Sequence, residues 1–224
     1  MYIKNKALSI TYKSILVVIG LYALSLTLGI YDGEFDRSQL NYFTNLSNIW
    51  VVIYFLIDII YISKRPSGAV WQPALKSAVT MAITVTFLVY HFLLADIGFT
   101  MSGTMRVAMI LTHYVVPIMT VVDWFAFDRK GHMKAYSPLT WTILPLLYFV
   151  YAMIASQIGD GIGHSGSRYP YPFMDVDALG LPRVLLTVGA MLLFFIALGY
   201  IYYGIDRVCT KFSKVGDERV GDAV

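Results

Sequence analysis

The sequence predicts an all-α integral membrane protein: one bundle of about six transmembrane helices with its N- and C-termini in the cytoplasm. Three observations carry this. Of 224 residues, 58% are hydrophobic and only 14% are charged, where a soluble domain carries roughly a quarter charged residues. The apolar residues fall in six runs, and a helix needs about 20 such residues to cross a bilayer. Six helices with short loops therefore use up the chain as one domain over residues 1–224. The basic residues, finally, alternate in density from one loop to the next.

Helix one is expected over 14–30, from Ser14 to Ile30, behind Lys4, Lys6 and Lys13. Ala23-Leu24-Ser25 is similar to a signal-peptide cleavage site, but the apolar run continues past it, which favours an uncleaved helix. Helices two to six follow over about 43–62, 76–97, 105–126, 138–158 and 181–204. With the N-terminus inside, the inner segments hold Lys4, Lys6, Lys13, Lys64, Arg65, Lys76, Arg129, Lys130, Lys134 and the basic residues from Arg207 to Arg219. The outer segments hold only Arg37, Arg106, Arg168 and Arg183. Positive charge stays on the cytoplasmic side, so the bias sets the orientation and points to a bacterial cytoplasmic membrane. The net charge of +3 is spread over separate short loops. It reads as topology, not as a nucleic-acid surface. Cys209 is the single cysteine, so no internal disulfide forms.

Ionisable groups at membrane depth are costly and mark candidate sites. His91 falls about six residues from the outer end of helix three, and His113 about eight from that of helix four. At about 1.5 Å per residue, both lie on the order of 10 Å below the outer surface. Helix two opens with Asn41-Tyr42-Phe43-Thr44-Asn45-Leu46-Ser47-Asn48. Asn41, Thr44 and Asn48 share one face if this stretch is helical. Thr44 also fits a helix N-cap. Pro117 lacks an N–H, which frees the carbonyl of His113 and kinks helix four beside the histidine. Pro145 reads as a plain kink. Asp58 and Asp123, near the inner ends of their helices, read as interfacial or inter-helix hydrogen-bonding groups. The one long loop, 159–180, lies outside. Its glycine-rich start has neither the Lys-Ser/Thr nor the preceding strand of a phosphate loop, and it could fold over the bundle as a lid.

Phe43-Thr44, His113-Tyr-Val-Val-Pro117 followed by Asp123, and Tyr171-Pro172-Phe173-Met174-Asp175 resemble, in order and spacing, the androgen-induced-gene family of six-helix membrane proteins and its prokaryotic relatives. The resemblance implies a hydrolase of fatty acid esters of hydroxy fatty acids, with Thr44 as intramembrane nucleophile and His113 as its histidine. Animal members have Glu where this chain has Asp123. His91 and the glycine-rich loop have no counterpart there. The implied chemistry is sound. A threonine hydroxyl becomes nucleophilic when a neighbouring base takes its proton, and a neutral imidazole can do that and then protonate the leaving alcohol. Asn45, Asn48 or backbone N–H groups at the start of helix two are the oxyanion candidates. Asn41 and His91 are further candidates for substrate contact. Arg106, Arg168 or Arg183 could hold a substrate carboxylate. The reading calls for no cofactor or metal, and for a lipid or acyl-ester substrate that arrives through the membrane. Two other classes use the same residues: a small-molecule transporter or receptor built on the kinked helix, and a haem protein with His91 and His113 as axial ligands.

Overall fold

The structure is a computed structural model that describes residues 2–66, 69–95, 101–158, 161–163 and 166–221, with 211–221 described as helical backbone. It contains six helices long and apolar enough to cross a membrane. They are α1 (Lys6–Thr27), α2 (Phe43–Ser63), α3 (Pro73–Leu94), α4 (Gly103–Phe127), α5 (Ser137–Ala155) and α6 (Leu181–Gly221, apolar over Leu181–Thr210). No strand occurs among the described residues. An even number of crossings places both termini on one face of the bundle, here termed the terminal face; the other is the distal face.

α1 begins eight residues before the expected Ser14. The Asn5 side chain accepts from the Leu8 N–H at 3.0 Å and so caps the helix. Lys6 and Lys13 consequently lie on the helix itself. Lys6 donates to the Ser63 carbonyl at the end of α2 (2.7 Å). α6 runs past the expected residue 204, and Asp206 accepts from the N–H groups of Gly131 and Met133 at 2.9 and 3.2 Å. The expected end of helix three at 96–97 lies outside the described residues, as do Gly159, Asp160, His164 and Ser165 of the glycine-rich loop.

Helices in lipid associate by close packing and polar contacts, because their apolar surfaces are equally at home in hydrocarbon. Gly20 of α1 shows this: a Cβ there would lie 2.6 Å from Val52 Cγ2 of α2. Leu16, Val51, Phe55, Ile83 and Val116 fill the core that results. α6 meets α5 at its first turn, where a Cβ on Gly199 would lie 2.8 Å from Pro138 Cβ. Beyond that point the two helices contact one another little, and a cavity opens between them. α5 is interrupted at Thr142, just before Pro145, which lines this cavity and cannot donate to the carbonyl four residues back.

Near the terminal face, five charged side chains join four helices. Lys13 lies 3.0 Å from Asp58 Oδ2 and 2.9 Å from Asp123 Oδ2. Lys76 bonds Asp123 and lies 2.6 Å from Asp128 Oδ1. Asp58 also accepts the Trp71 N–H at 2.8 Å. Lys13, Asp58, Lys76 and Asp123 are fully buried. Of the two readings expected for Asp58 and Asp123, interfacial or inter-helix, the structure has the second. Their role is inter-helix, and their partners are two lysines that the sequence placed among the loop charges.

Candidate functional site

Thr44 and His113 meet near the distal face. Tyr42 holds the capping position of α2 in extended conformation and makes no side-chain cap. Thr44 thus sits in the first turn rather than at the cap, and its hydroxyl is 3.2 Å from His113 Nε2. Asn41 belongs to a separate 3-10 turn (Arg37–Asn41) started by Asp36. The helical face expected to join it to Thr44 and Asn48 does not reach it. Its carbonyl and side-chain oxygen accept from the Tyr148 and Tyr151 hydroxyls at 2.9 and 2.6 Å.

His113 lies in a π turn, Leu111–Val115, in which the Val116 N–H donates to the Leu111 carbonyl five residues back. The chain absorbs the N–H missing at Pro117 in this wider turn, an irregularity frequent at functional sites. The turn fixes the imidazole's tautomer. Nδ1 is 3.0 Å from the Met109 carbonyl and 3.1 Å from the Thr112 hydroxyl oxygen. The Thr112 hydroxyl gives its own proton to the Ala108 carbonyl at 2.8 Å. Both neighbours of Nδ1 are therefore acceptors, and Nδ1 carries the proton. Nε2 presents its lone pair to the Thr44 O–H. Tyr90 stacks on the imidazole with ring centres 3.8 Å apart. That contact holds the ring plane and favours a positive charge on it. The partner at Nδ1 is a neutral carbonyl, where serine-protease triads use a carboxylate.

The asparagines expected as oxyanion donors are committed elsewhere. Asn45 Nδ2 donates to the Gln39 carbonyl at 2.8 Å. Asn48 Nδ2 donates to the carbonyls of Thr44 and Thr112 at 2.8 and 3.1 Å, tying α2 to α4 behind the histidine. His91, in a second π turn over Tyr90–Leu94, is exposed on the outside of α3, with Nδ1 3.2 Å from the Tyr114 hydroxyl. The two histidines thus serve different partners. Arg106 and Arg183 are exposed and line no part of the cavity. Arg168 donates to the Ser156 carbonyl at 3.1 Å and closes the end of α5.

The glycine-rich connection has a structural role. Ile162 and Gly163 both donate to the Arg168 carbonyl, at 2.9 and 3.2 Å, and a Cβ on Gly163 would lie 2.2 Å from the Tyr169 carbonyl oxygen. This tight return, with buried Tyr169, delivers Tyr171, Phe173 and Met174 to the mouth of the bundle. There they line a partly open cavity that has Thr44 on its wall. The rest of the wall is almost wholly apolar: Val85 and Val89 of α3, Leu146 and Phe149 of α5, and Met191, Leu192 and Phe195 of α6. Tyr90, Thr112 and Tyr171 escaped the sequence reading as site residues. Tyr171 stood in a quoted motif, and Thr112 adjoins the histidine, but neither carried a role.

The fold and site define a six-helix, membrane-spanning class of protein with a threonine–histidine pair beside an apolar cavity. Comparison of the chain with known protein families, curated proteins and solved structures finds no match in any of the three.

Proposed function

We propose that this protein is an intramembrane threonine hydrolase that cleaves lipid esters, with fatty acid esters of hydroxy fatty acids as the substrate class that its resemblance to the androgen-induced-gene family implies. One observation carries the reading: the Thr44 hydroxyl faces the lone pair of His113 Nε2 at 3.2 Å, while Nδ1 is locked as donor. A nucleophile, a base and a group that orients the base is the arrangement covalent ester hydrolysis needs. The apolar cavity beside Thr44 gives an acyl chain somewhere to lie.

The reaction proceeds in two halves. Thr44 Oγ1 attacks the ester carbonyl carbon as its proton passes to Nε2. The tetrahedral intermediate collapses, the carbon–alkoxy bond breaks, and Nε2–H protonates the departing oxygen to give the alcohol. A water then attacks the acyl-threonine, gives a proton to Nε2 and leaves the carboxyl product on the acyl chain. The same proton returns to Thr44. The setting is a bacterial cytoplasmic membrane with the terminal face inside, as the Lys/Arg bias favours.

The deciding experiment is labelling of the detergent-solubilised protein with a fluorophosphonate carrying an alkyl chain, followed by mass spectrometry. The adduct is expected on Thr44 and is expected to vanish in His113→Ala. An adduct on another residue, or none with a protein that hydrolyses acyl esters, overturns the mechanism.

A further inference from the structure

A tetrahedral intermediate on Thr44 carries a negative oxygen on the same carbon that Oγ1 has attacked, so its donors must stand beside Oγ1. With the Asn45 and Asn48 amides committed to carbonyls, the donors come from elsewhere. The N–H groups of Phe43 and Thr44 open α2 and have no carbonyl four residues back to bond. One phenol stands beside them: Tyr171, which lines the same cavity wall as Thr44 and packs its ring against Tyr42 and Tyr148. The Phe43 and Thr44 N–H groups and the Thr44 and Tyr148 hydroxyls all act on that phenol. The site thus holds a hydroxyl on the Thr44 side of the cavity, beside two backbone donors.

The protons decide what that phenol does. Thr44 gives its proton to His113 Nε2, so its oxygen can only accept from Tyr171. Tyr148 gives its proton to the Asn41 carbonyl at 2.9 Å. The Tyr171 O–H is therefore the one hydroxyl of the three whose proton is not committed to His113 or Asn41. Burial pushes the Tyr171 phenol above its ordinary value, which keeps the proton in place at neutral pH. The ring is braced from outside by Phe173, stacked on it at 5.2 Å, and by Tyr42 edge-on at 5.8 Å.

We propose that Tyr171 is a catalytic residue of the hydrolase, an oxyanion donor supplied by the distal loop. The ester carbonyl oxygen takes the seat at the Phe43 and Thr44 N–H groups, and the Tyr171 O–H donates to that oxygen as charge develops. This rests on Thr44 being the nucleophile. The segment 169–174 thereby enters the chemistry, because it supplies one donor of the oxyanion site.

The test is hydrolysis of a p-nitrophenyl acyl ester by Tyr171→Phe in detergent. Its kcat is expected to fall at least about a hundredfold, the usual scale for one oxyanion donor, with KM little changed. Affinity for an alkyl trifluoromethyl ketone, which forms a tetrahedral adduct, is expected to fall in step. Full kcat in Tyr171→Phe, or a kcat loss with undiminished ketone affinity, overturns the proposal. Trifluorotyrosine at 171 keeps the ring in place and makes its phenol more acidic. A new alkaline limb in kcat is expected there, and an unchanged pH profile counts against the role even where Tyr171→Phe fails to fold. Thr44→Ala separates the two levels. If it still turns over, the hydrolase mechanism itself falls; if it is dead while Tyr171→Phe is fully active, only the Tyr171 assignment falls.

Discussion

Thr44 and His113 are 69 positions apart in sequence, yet the hydroxyl of one faces Nε2 of the other at 3.2 Å, and the Met109 carbonyl at 3.0 Å from Nδ1 dictates which nitrogen carries the proton. The site is therefore set for a hydroxyl to lose its proton to the imidazole. With Tyr90 stacked on the ring, the imidazolium that results has a π face on one side and a carbonyl on the other, with no carboxylate at Nδ1.

From this pair the first prediction follows. Thr44→Ala and His113→Ala are each expected to lose at least about a hundredfold in kcat, and the double variant little more, because the two act as a unit. Thr44→Ser retains a hydroxyl and is expected to retain part of the activity. His91→Ala, whose side chain is turned outward, is expected to keep most of it. Ester hydrolysis and a folding readout in the same detergent check this. A dead His91→Ala beside an active His113→Ala reverses the assignment.

The helices were legible because each apolar run is long enough to cross a bilayer, and His113 because ionisable groups at that depth are rare; Thr44 stood out through the family resemblance, its spacing alone fitting an N-cap. What was not legible depends on helix rotation and on local turn chemistry. Lys13 and Lys76 read as loop charges, but α1 begins at Lys6 and α3 at Pro73. Both lysines then turn inward onto Asp123. The spacing of Asn41, Thr44 and Asn48 implied one face, but the 3-10 turn ends at Asn41 and α2 starts at Phe43. Pro117 announced an irregular helix. That the irregularity is a π turn which aims Nε2 at α2 depends on packing that no single sequence displays.

The cavity gives the second prediction. Met191 of α6 and Val85 of α3 lie on its wall with Thr44. Met191→Trp adds bulk where an acyl tail would run, and overfilling a packed site costs about 1–3 kcal/mol. The ratio of kcat/KM for a palmitoyl ester over a butyryl ester is expected to fall roughly tenfold or more, with butyryl hydrolysis the less affected. An unchanged ratio places the acyl chain elsewhere.

Orientation gives the third. His132 on the terminal face and Asp177 on the distal face are both exposed. In a Cys209→Ser background, His132→Cys is expected to resist an impermeant maleimide in intact cells and to react after lysis. Asp177→Cys is expected to react in both. The reverse pattern would turn the protein over and put the threonine–histidine pair in the inner leaflet.

Lys130, in the α4–α5 connection, sets a pH dependence. It donates to the Trp124 carbonyl and lies over the indole ring, 3.5 Å from its centre. Burial pushes it down to about 8; Asp128 and Asp206 oppose that fall, while Lys76 reinforces it. An unfolded lysine titrates near 10.4. Between these values the unfolded chain binds the extra proton, so stability rises with pH through that window, by at most about 3 kcal/mol from this group. The melting midpoint in detergent is expected to climb from pH 8 to 10 and to climb less in Lys130→Met. Parallel profiles for the two proteins would remove Lys130 as the cause.

The ionic cluster near the terminal face carries the last prediction. Lys76 is the only described ammonium within ion-pair distance of Asp128, and it shares Asp123 with Lys13. Removing one partner from a buried ion pair leaves a charge without compensation and costs about 3–5 kcal/mol. Lys76→Met is therefore expected to lower the melting midpoint by on the order of 10 °C for a chain of this size. Asp123→Asn, introduced into Lys76→Met, takes away one of the two carboxylates that Lys76 paired, still leaving Asp128 without an ammonium, and gives Lys13 and Asp58 at 3.0 Å as a one-to-one pair. The double variant is expected to recover part of the loss, a non-additivity that a double-mutant cycle measures directly. Simple addition of the two losses would mean that the cluster does not act as one network. Activity separates a structural network from a transport path. The cluster joins α1 to α4 near the terminal face, whereas the threonine–histidine pair lies near the distal face. Below its own melting transition, Lys76→Met is expected to hydrolyse esters at close to the native rate. Loss of all turnover in a fully folded Lys76→Met protein would show that the charges serve the reaction or a transport path, not the packing of the helices.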